Sequence, residues 1–590
     1  RVMKPIRSFS LFLLATILLL TISFIFHFGN SPQNGSPKKD AMAKFKPWES
    51  ASFKWSYPDS DWDIRDADVA LKNVRSHFEA IEAADFSRDI GGDWRMEGPQ
   101  NIGGRLNVMK QDPFDANHIL AGSSAGGLFG TTDGGLNWSP LTDDFAWMAM
   151  GSIAFHPTQE GTVYLGTGDP QISSHPRIGN GVYRSTDGGN NWVHLGLDSA
   201  RIVSQLLILD DAPEIVMAAT MGNPGVKGPD RGLYRSTNSG ATWDQVLLPS
   251  DSAGVNDIAY DSSTGIMIAS GWNRLRNSTR SLVYGPESKL YRSADQGETW
   301  NPITNPWGDE ERCRIGVQEL NGEFWALVVG VDMQIDNIYN STDGGLSWSP
   351  IISNTEPLAN ALGGFGWYFS KVRINPWNAE DITILGVDVW NSLDGGMTWS
   401  EMAPPWWEYS VHADKHDMQW VGPNSAILAT DGGAYRTSDH GGSWADIENL
   451  PNSQFYRVEW NPHNPGKYTG GAQDNGTTTG SYLGLNSWNR DRGGDGFTPV
   501  FHPTNPNYRI ATVQWANFAY SYDPPASLNP SWNGMADTDP GDRKGWDAPI
   551  MLHPANPEHI WTGTQRMWRM VGEPSGTWTP MSDDLTLNID

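Results

Sequence analysis

One eight-residue pattern, Ser/Thr-x-Asp-x-Gly-x-x-Trp, recurs along this chain and constrains its fold more than any other feature. It stands at Thr131-Asp133-Gly135-Trp138, Ser185-Asp187-Gly189-Trp192, Ser293-Asp295-Gly297-Trp300, Ser341-Asp343-Gly345-Trp348, Ser392-Asp394-Gly396-Trp399 and Thr437-Asp439-Gly441-Trp444. A seventh copy, Ser236-Asn238-Gly240-Trp243, carries asparagine in place of aspartate. These tryptophans follow one another at about 45 to 57 residues, a period that signals a repeat architecture. Weaker copies at Trp488, Trp532 and Trp578 keep the tryptophan but not the aspartate and glycine.

The unit has a direct physical reading. Gly181-Val182-Tyr183-Arg184 and Gly232-Leu233-Tyr234-Arg235 are alternating segments that run into the turn. The turn aspartate can accept hydrogen bonds from nearby amides, and the glycine supplies a backbone shape that other residues resist. The tryptophan then opens a return strand. Two apolar stretches precede the hairpin, as Ile202 to Leu209 and Ile215 to Thr220 do, so each period holds four strands. That is one blade of a β-propeller, with the tryptophan suited to packing between neighbours. The expected class is therefore all-β, in keeping with 64 glycines, 29 tryptophans and only 18% charged residues. Seven sound turns up to Trp444 predict a seven-bladed ring followed by part of a second; one ten-bladed ring is the alternative. The expected division is 1–30 signal peptide or signal anchor, 31–93 spacer and a helix over Asp61 to Ala84, 94–450 first propeller, and 451–590 the start of a second.

The turns resemble the Asp-box, or BNR, repeats of sialidases, sortilins and xyloglucan-cleaving glycoside hydrolases, over about residues 94–590. The resemblance implies the propeller and places the boxes at the blade periphery, but those families differ in activity. Segments that break the repeat, including Gly363 to Tyr368, Trp406 to Tyr409, His412 to Asp417, Gln473 to Gly476 and Gly493 to Phe497, are similar in their order to large secreted bacterial BNR-repeat proteins. The Arg-Ile-Pro segment of sialidases has as its nearest strings here Pro176-Arg177-Ile178-Gly179 and Tyr456-Arg457-Val458-Glu459, which argues against a sialidase. Xyloglucan hydrolases carry a catalytic aspartate in an early Thr-Asp-Ile-Gly-Gly-Ala-Tyr segment; here Ser124 stands at that place, and serine cannot supply the carboxylate. Thr430-Asp431-Gly432-Gly433-Ala434-Tyr435 is closer in sequence but lies in the seventh repeat.

Charge and composition exclude some functions. A net charge of −27 repels a phosphate backbone, so nucleic acid is not an expected partner. The acidity could hold a divalent cation; no other cofactor is implied. A single cysteine, Cys313, rules out an intrachain disulfide framework. Lys4 and Arg7 precede an apolar run from Phe9 to Phe28, which predicts export and leaves the bulk of the chain outside the cytoplasm, in contact with a membrane only through that run. Secretion or anchorage at the cell surface is the expected location.

Candidate chemistry falls in the loops that interrupt the repeat. His412, Asp414 and His416, at alternate positions, share one face if the segment is extended, and two imidazoles with a carboxylate could hold a metal or form a base with its orienting group. Asp414, His416, Asp474 and Asp495 are the catalytic candidates, with Asp474 and Asp495 in glycine-rich turns of separate blades. Trp367, Trp406, Trp407 and His412 are candidates for ligand contact, since flat aromatic faces suit the apolar faces of sugar rings. Three functions are consistent with these features: recognition of an extracellular glycan or protein, a glycoside hydrolase acting on an extracellular polysaccharide, and a sortilin-like sorting or assembly factor. Convergence of the carboxylates in one groove distinguishes the second from the first.

Overall fold

The computed structural model describes residues 95–585 apart from 174–175, 278–279, 353–355, 525–529 and 573. The apolar run over 9–28 and the helix expected over 61–84 lie outside the described residues; no described helix is long and apolar enough to cross a membrane.

Among the described residues the strands build ten four-stranded antiparallel sheets, each ordered as in the sequence, and one two-stranded ribbon inserted in the fourth. These are ten propeller blades. Their first strands are Leu106–Gln111, Met150–Phe155, Val203–Ile208, Ala253–Asp261, Ile315–Leu320, Lys371–Asn375, Lys415–Gly422, Phe455–Trp460, Val500–Phe501 and Ile550–His553. The apolar stretches anticipated in blade 3 appear as Val203–Ile208 and Val216–Thr220, and their alternate side chains enter the blade-to-blade core.

Seven blades close into a ring. The first strands of blades 1 and 7 lie side by side. Lys110 Nζ meets Asp417 Oδ2 at 2.9 Å, and Gln111 N donates to Gln419 Oε1 at 2.8 Å across this seam. Leu106, Ile119 and Phe129 of blade 1 share one buried cluster with Ile427, Ala429 and Ile447 of blade 7. Burying each such large apolar side chain is worth about 1.5–3 kcal/mol, so the seam is held as the other blade contacts are. Blades 8 to 10 follow as a separate series, with the last two joined through a cluster that includes Ile510, Phe518, Ile560 and Trp568. One continuous ten-bladed ring is therefore excluded, because blade 1 is already closed on blade 7.

Each repeat turn forms the structure its residues call for. In the first, Thr131 Oγ1 donates to Asp133 Oδ1 at 2.7 Å, and Asp133 Oδ1 accepts the amide of Asn137 at 2.9 Å. Gly135 adopts φ 95°, a backbone shape that glycine reaches without strain. The tryptophan wedges against the preceding blade: Trp243 Nε1 donates to Leu195 O and Trp444 Nε1 to Met402 O, both at 3.0 Å. The same wedge persists where the turn is lost, with Trp532 Nε1 donating to Asp491 O and Trp578 Nε1 to Ala536 O at 2.8 Å.

Antiparallel order fixes which loops share a face. The start of each first strand and the turn between the second and third strands lie on one face, which we call the top; the box turns, after the third strands, lie on the other.

Candidate functional site

Arg105 opens the first strand of blade 1 on the top face, and bare backbone brings it to its partner. A Cβ on Gly103 would come within 2.6 Å of Gly433 Cα, so glycine at this point lets the two chain segments touch. Asp431 lies in that facing turn, between Ser425–Thr430 and Gly433–Thr437 of blade 7. Its carboxylate receives Arg105 Nε at 2.7 Å and Nη2 at 3.3 Å, lies 2.5 Å from His416 Nε2, and accepts the Tyr368 hydroxyl at 3.1 Å. Burial alone would push Asp431 up, but Arg105 and His416 hold its pKa well below the usual carboxylate range.

Three more carboxylates reach the same guanidinium or its surroundings. Asp169, which follows the second strand of blade 2 and is wholly buried, has Oδ2 3.8 Å from Arg105 Nη1. Asp474 Oδ2, from the turn between Tyr468–Ala472 and Gly476–Gly480 of blade 8, is 3.5 Å from Arg105 Nη2. The Oδ2 atoms of Asp431 and Asp474 thus share one nitrogen and are at most about 7 Å apart, below the upper limit of about 9.5 Å for paired glycosidase carboxylates. Asp495, ahead of blade 9, receives the Asp474 amide at 2.6 Å and fixes its turn.

The acids are electrostatically uneven. Burial, then the neighbouring Asp495 and Asp431, raises Asp474 well above its ordinary value. Burial followed by Asp431 raises Asp414 to about 7, and burial raises Asp495 to about 6. The Asp474 side chain keeps 28% of its surface exposed, whereas that of Asp431 keeps 2%. Solvent therefore reaches the cluster at Asp474, beside the exposed Gly493 and Gly494.

The structure brings Asp414, His416, Asp474 and Asp495 together, but it corrects the geometry expected for 412–416. Asp414 sits at φ 62°, so the segment is not extended and the three alternate residues do not share a face. His412 Nε2 turns to Asp474 O at 3.1 Å, while His416 points to Asp431. Among the described residues no group of three His, Cys, Asp or Glu side chains is placed to hold a metal ion, so His412, Asp414 and His416 do not form the metal set their spacing suggests. His416 has a fully buried side chain, edge-on to Tyr368 and stacked on Phe369, and holds Asp431 from behind. His412 is partly buried, and its pKa is lowered by burial.

The aromatic candidates divide. Trp367 is packed into the apolar clusters of the ring, with the Arg274 guanidinium 5.2 Å from its ring centre, so it is a structural residue and not a stacking surface. Trp406 and Trp407 are 44% and 58% exposed. They form a single 3-10 turn with Glu408, pinned by the Trp406 amide on Asp388 Oδ1 at 2.9 Å. Tyr409, next in the chain, lies under the Arg490 guanidinium at 4.5 Å and close to Gly493, which places this aromatic turn beside the acid cluster. The sequence reading missed Arg105 and Asp169 and did not count Asp431 as a site residue. The Gly103-Gly104 pair before Arg105 is the signal of close backbone approach that would have marked it.

No protein-family model matches the chain. A xyloglucanase of a Paenibacillus species is 24% identical over 336 residues, 50% of this chain and 31% of that enzyme. The oligoxyloglucan-reducing end-specific xyloglucanase of Emericella nidulans is 25% identical over 356 residues, 56% of this chain and 38% of that enzyme. The chain thus spans about a third of the length of these relatives. Among solved structures, a GH74 enzyme of Niastella koreensis superimposes with a TM-score of 0.58 at 15% identity, covering 83% of this chain and 74% of that one. The GH74 xyloglucanase of Xanthomonas campestris gives 0.57 at 13% identity, covering 83% and 81%. At these identities the superpositions establish the multi-blade propeller architecture.

Proposed function

We propose that the chain hydrolyses glycosidic bonds of an extracellular polysaccharide bound on the top face of the ring, between blades 7, 8 and 1. The observation that carries this reading is the convergence of Asp474 and Asp495 around Arg105 and Asp431, with the Asp414 carbonyl accepting the Asp431 amide at 3.1 Å, beside the exposed Trp406–Trp407 turn. Asp474, raised and partly exposed, serves as general acid toward the leaving-group oxygen. Asp414, raised to about 7 by burial and by Asp431, is the second carboxylate. Arg105, Asp431, His416 and Asp495 hold these groups in place. The similarity to xyloglucanases supports a glycan substrate, and the Phe9 to Phe28 run supports an extracellular one.

A second reading, recognition without cleavage, is favoured by Ser124. It stands where the resembled xyloglucan hydrolases carry an aspartate and is occupied as a hydrogen-bond partner of Gln454 Nε2 at 2.9 Å. Glycan-array binding together with oligosaccharide release from a polysaccharide panel separates the two. Release that disappears in Asp414→Asn supports hydrolysis; binding with no release by the unaltered chain favours recognition.

A further inference from the structure

A cavity lies on the axis of the seven-bladed ring, between the first strands of its blades. Its upper part is lined by Lys110, Arg314, Lys371 and Arg373, with Asp417 the one lining carboxylate among the described residues. Below them it widens toward the box-turn face into a chamber of about 410 Å³, inside the range of about 300–1,000 Å³ usual for small-molecule sites. Leu207, Ile258, Val317, Ile374 and Met418 give this chamber apolar walls. The top end is shut. Arg314 of blade 5 donates to Gln171 Oε1 of blade 2 at 2.6 Å across the axis, and both side chains are buried. The channel is therefore a blind pocket entered from the face opposite the acid cluster.

The pocket holds more cations than acids, in a chain whose net charge is −27. Asp417 bridges Lys110 Nζ at 2.9 Å and Arg373 Nη2 at 2.5 Å, and Lys371 Nζ reaches Asp257 Oδ2 at 3.1 Å. Arg314 is held by neutral groups, Asn256 Oδ1, Gln171 Oε1 and Tyr368 O. Glu319, at the lower rim, is turned to its own loop and accepts the Gly322 amide at 2.8 Å. Burial lowers the pKa of Lys371 and of Arg314, a cost that a bound anion relieves. The donors left over are ammonium groups. Arg373 spends its fork on Asp417, Met418 O and Val372 O, whereas Lys110 and Lys371 each have three donors and, among the described residues, one carboxylate partner. An ammonium is a compact point charge suited to the oxygens of a phosphate or sulfate; the planar fork that matches a carboxylate is not free here. Independently of the glycan reading, we infer that this pocket binds a small organic phosphate or sulfate monoester, its oxyanion on Lys110 and Lys371 and its apolar body in the lower chamber.

Calorimetric titration of the full chain in buffer free of phosphate and sulfate tests this, with phenyl phosphate, phenyl sulfate, the two inorganic anions and phenol as probes. The expected result is saturable binding of at least one ester, tighter by about 10-fold or more than binding of phenol or of the matching inorganic anion. Lys110→Gln and Lys371→Gln are each expected to weaken ester binding about 10- to 100-fold, while Lys110→Arg, which keeps the charge, holds it within about tenfold. A second measurement needs no variant. Acetylation of Lys110 in the unaltered chain, followed by peptide mass spectrometry, is expected to slow at least about fivefold under saturating ester. No saturable binding of either ester, an inorganic anion bound as tightly as its ester, ester affinity unchanged in both glutamine variants, or Lys110 acetylated equally fast with and without ester overturns the inference.

Discussion

Arg105 Nη2 lies 3.5 Å from Asp474 Oδ2, and the contact joins the first blade of a closed ring to the first blade of the series that follows it. The same guanidinium binds Asp431 of blade 7. One side chain, 5% exposed, thus sits where blades 1, 7 and 8 meet. Removing it leaves Asp169 and Asp474 without a direct counter-charge and Asp431 with only His416. Arg105→Gln is expected to cost about 3–5 kcal/mol, the usual penalty for stripping one partner from a buried charge pair. Urea unfolding checks this, and the double variant with Asp431→Asn should recover part of the loss. A cost under about 1 kcal/mol would show that water already solvates the cluster.

The raised acids give stability a definite pH slope. Asp414 and Asp495 have folded-state pKa values of about 7 and about 6, against about 3.9 for an unperturbed aspartate. Their contribution is complete below about pH 4 and is lost as pH rises through 6 to 7. Asp417 and Asp431, held low by their cationic partners, act in the opposite sense and matter only in acid. The melting temperature is therefore expected to fall between pH 5 and pH 8. Asp414→Asn, neutral throughout and at ease at φ 62°, should flatten that slope and gain on the order of 2 kcal/mol at pH 8. Parallel profiles for the two proteins would remove Asp414 from the titrating set.

The exposed aromatic turn separates binding from folding. Trp406→Ala and Trp407→Ala each remove a side chain that is about half exposed, so thermal stability should scarcely change. Glycan affinity should drop by on the order of 1 kcal/mol per ring, the scale of an aromatic stacking contact. Affinity that holds in both variants would place the glycan elsewhere on the top face.

The box turns make the opposite expectation. Asp394 is half-buried and accepts the Thr398 amide at 2.8 Å and its hydroxyl at 2.6 Å, on the face away from the acid cluster. Asp394→Asn should leave glycan release unchanged, because Asn238 already does this work, accepting the Thr242 amide and donating to its hydroxyl at 2.9 Å. Amide exchange at Thr398 is the sensitive readout for Asp394→Ala. Loss of release in either variant would link the two faces of the ring.

The scaffold was legible because its determinants are local. Asp133, Gly135 and Trp138 act within one turn and one blade contact, so their spacing reports the fold directly. Ring closure was legible only as a count of sound boxes, since its contacts pair Gln111 with Gln419 and Lys110 with Asp417. The site was half legible. Asp414, Asp474 and Asp495 stood out because they break the repeat, but Arg105 and Asp169 sit at ordinary blade positions and acquire meaning only when the ring brings blades 1, 2, 7 and 8 to one point. The metal reading of His412, Asp414 and His416 failed on one dihedral angle, which spacing alone does not reveal.

Reducing-end release from the responsive polysaccharide, measured side by side for the unaltered chain and Asp474→Asn, tests the central claim most directly. Asn fits the left-handed backbone at φ 58°, so the fold and glycan binding should persist. The expected result is release by the unaltered chain that falls by about 10²- to 10⁴-fold in the variant, the range for loss of a general acid. Release at the same rate in both proteins, or none from either despite tight binding, would contradict an acid role for Asp474.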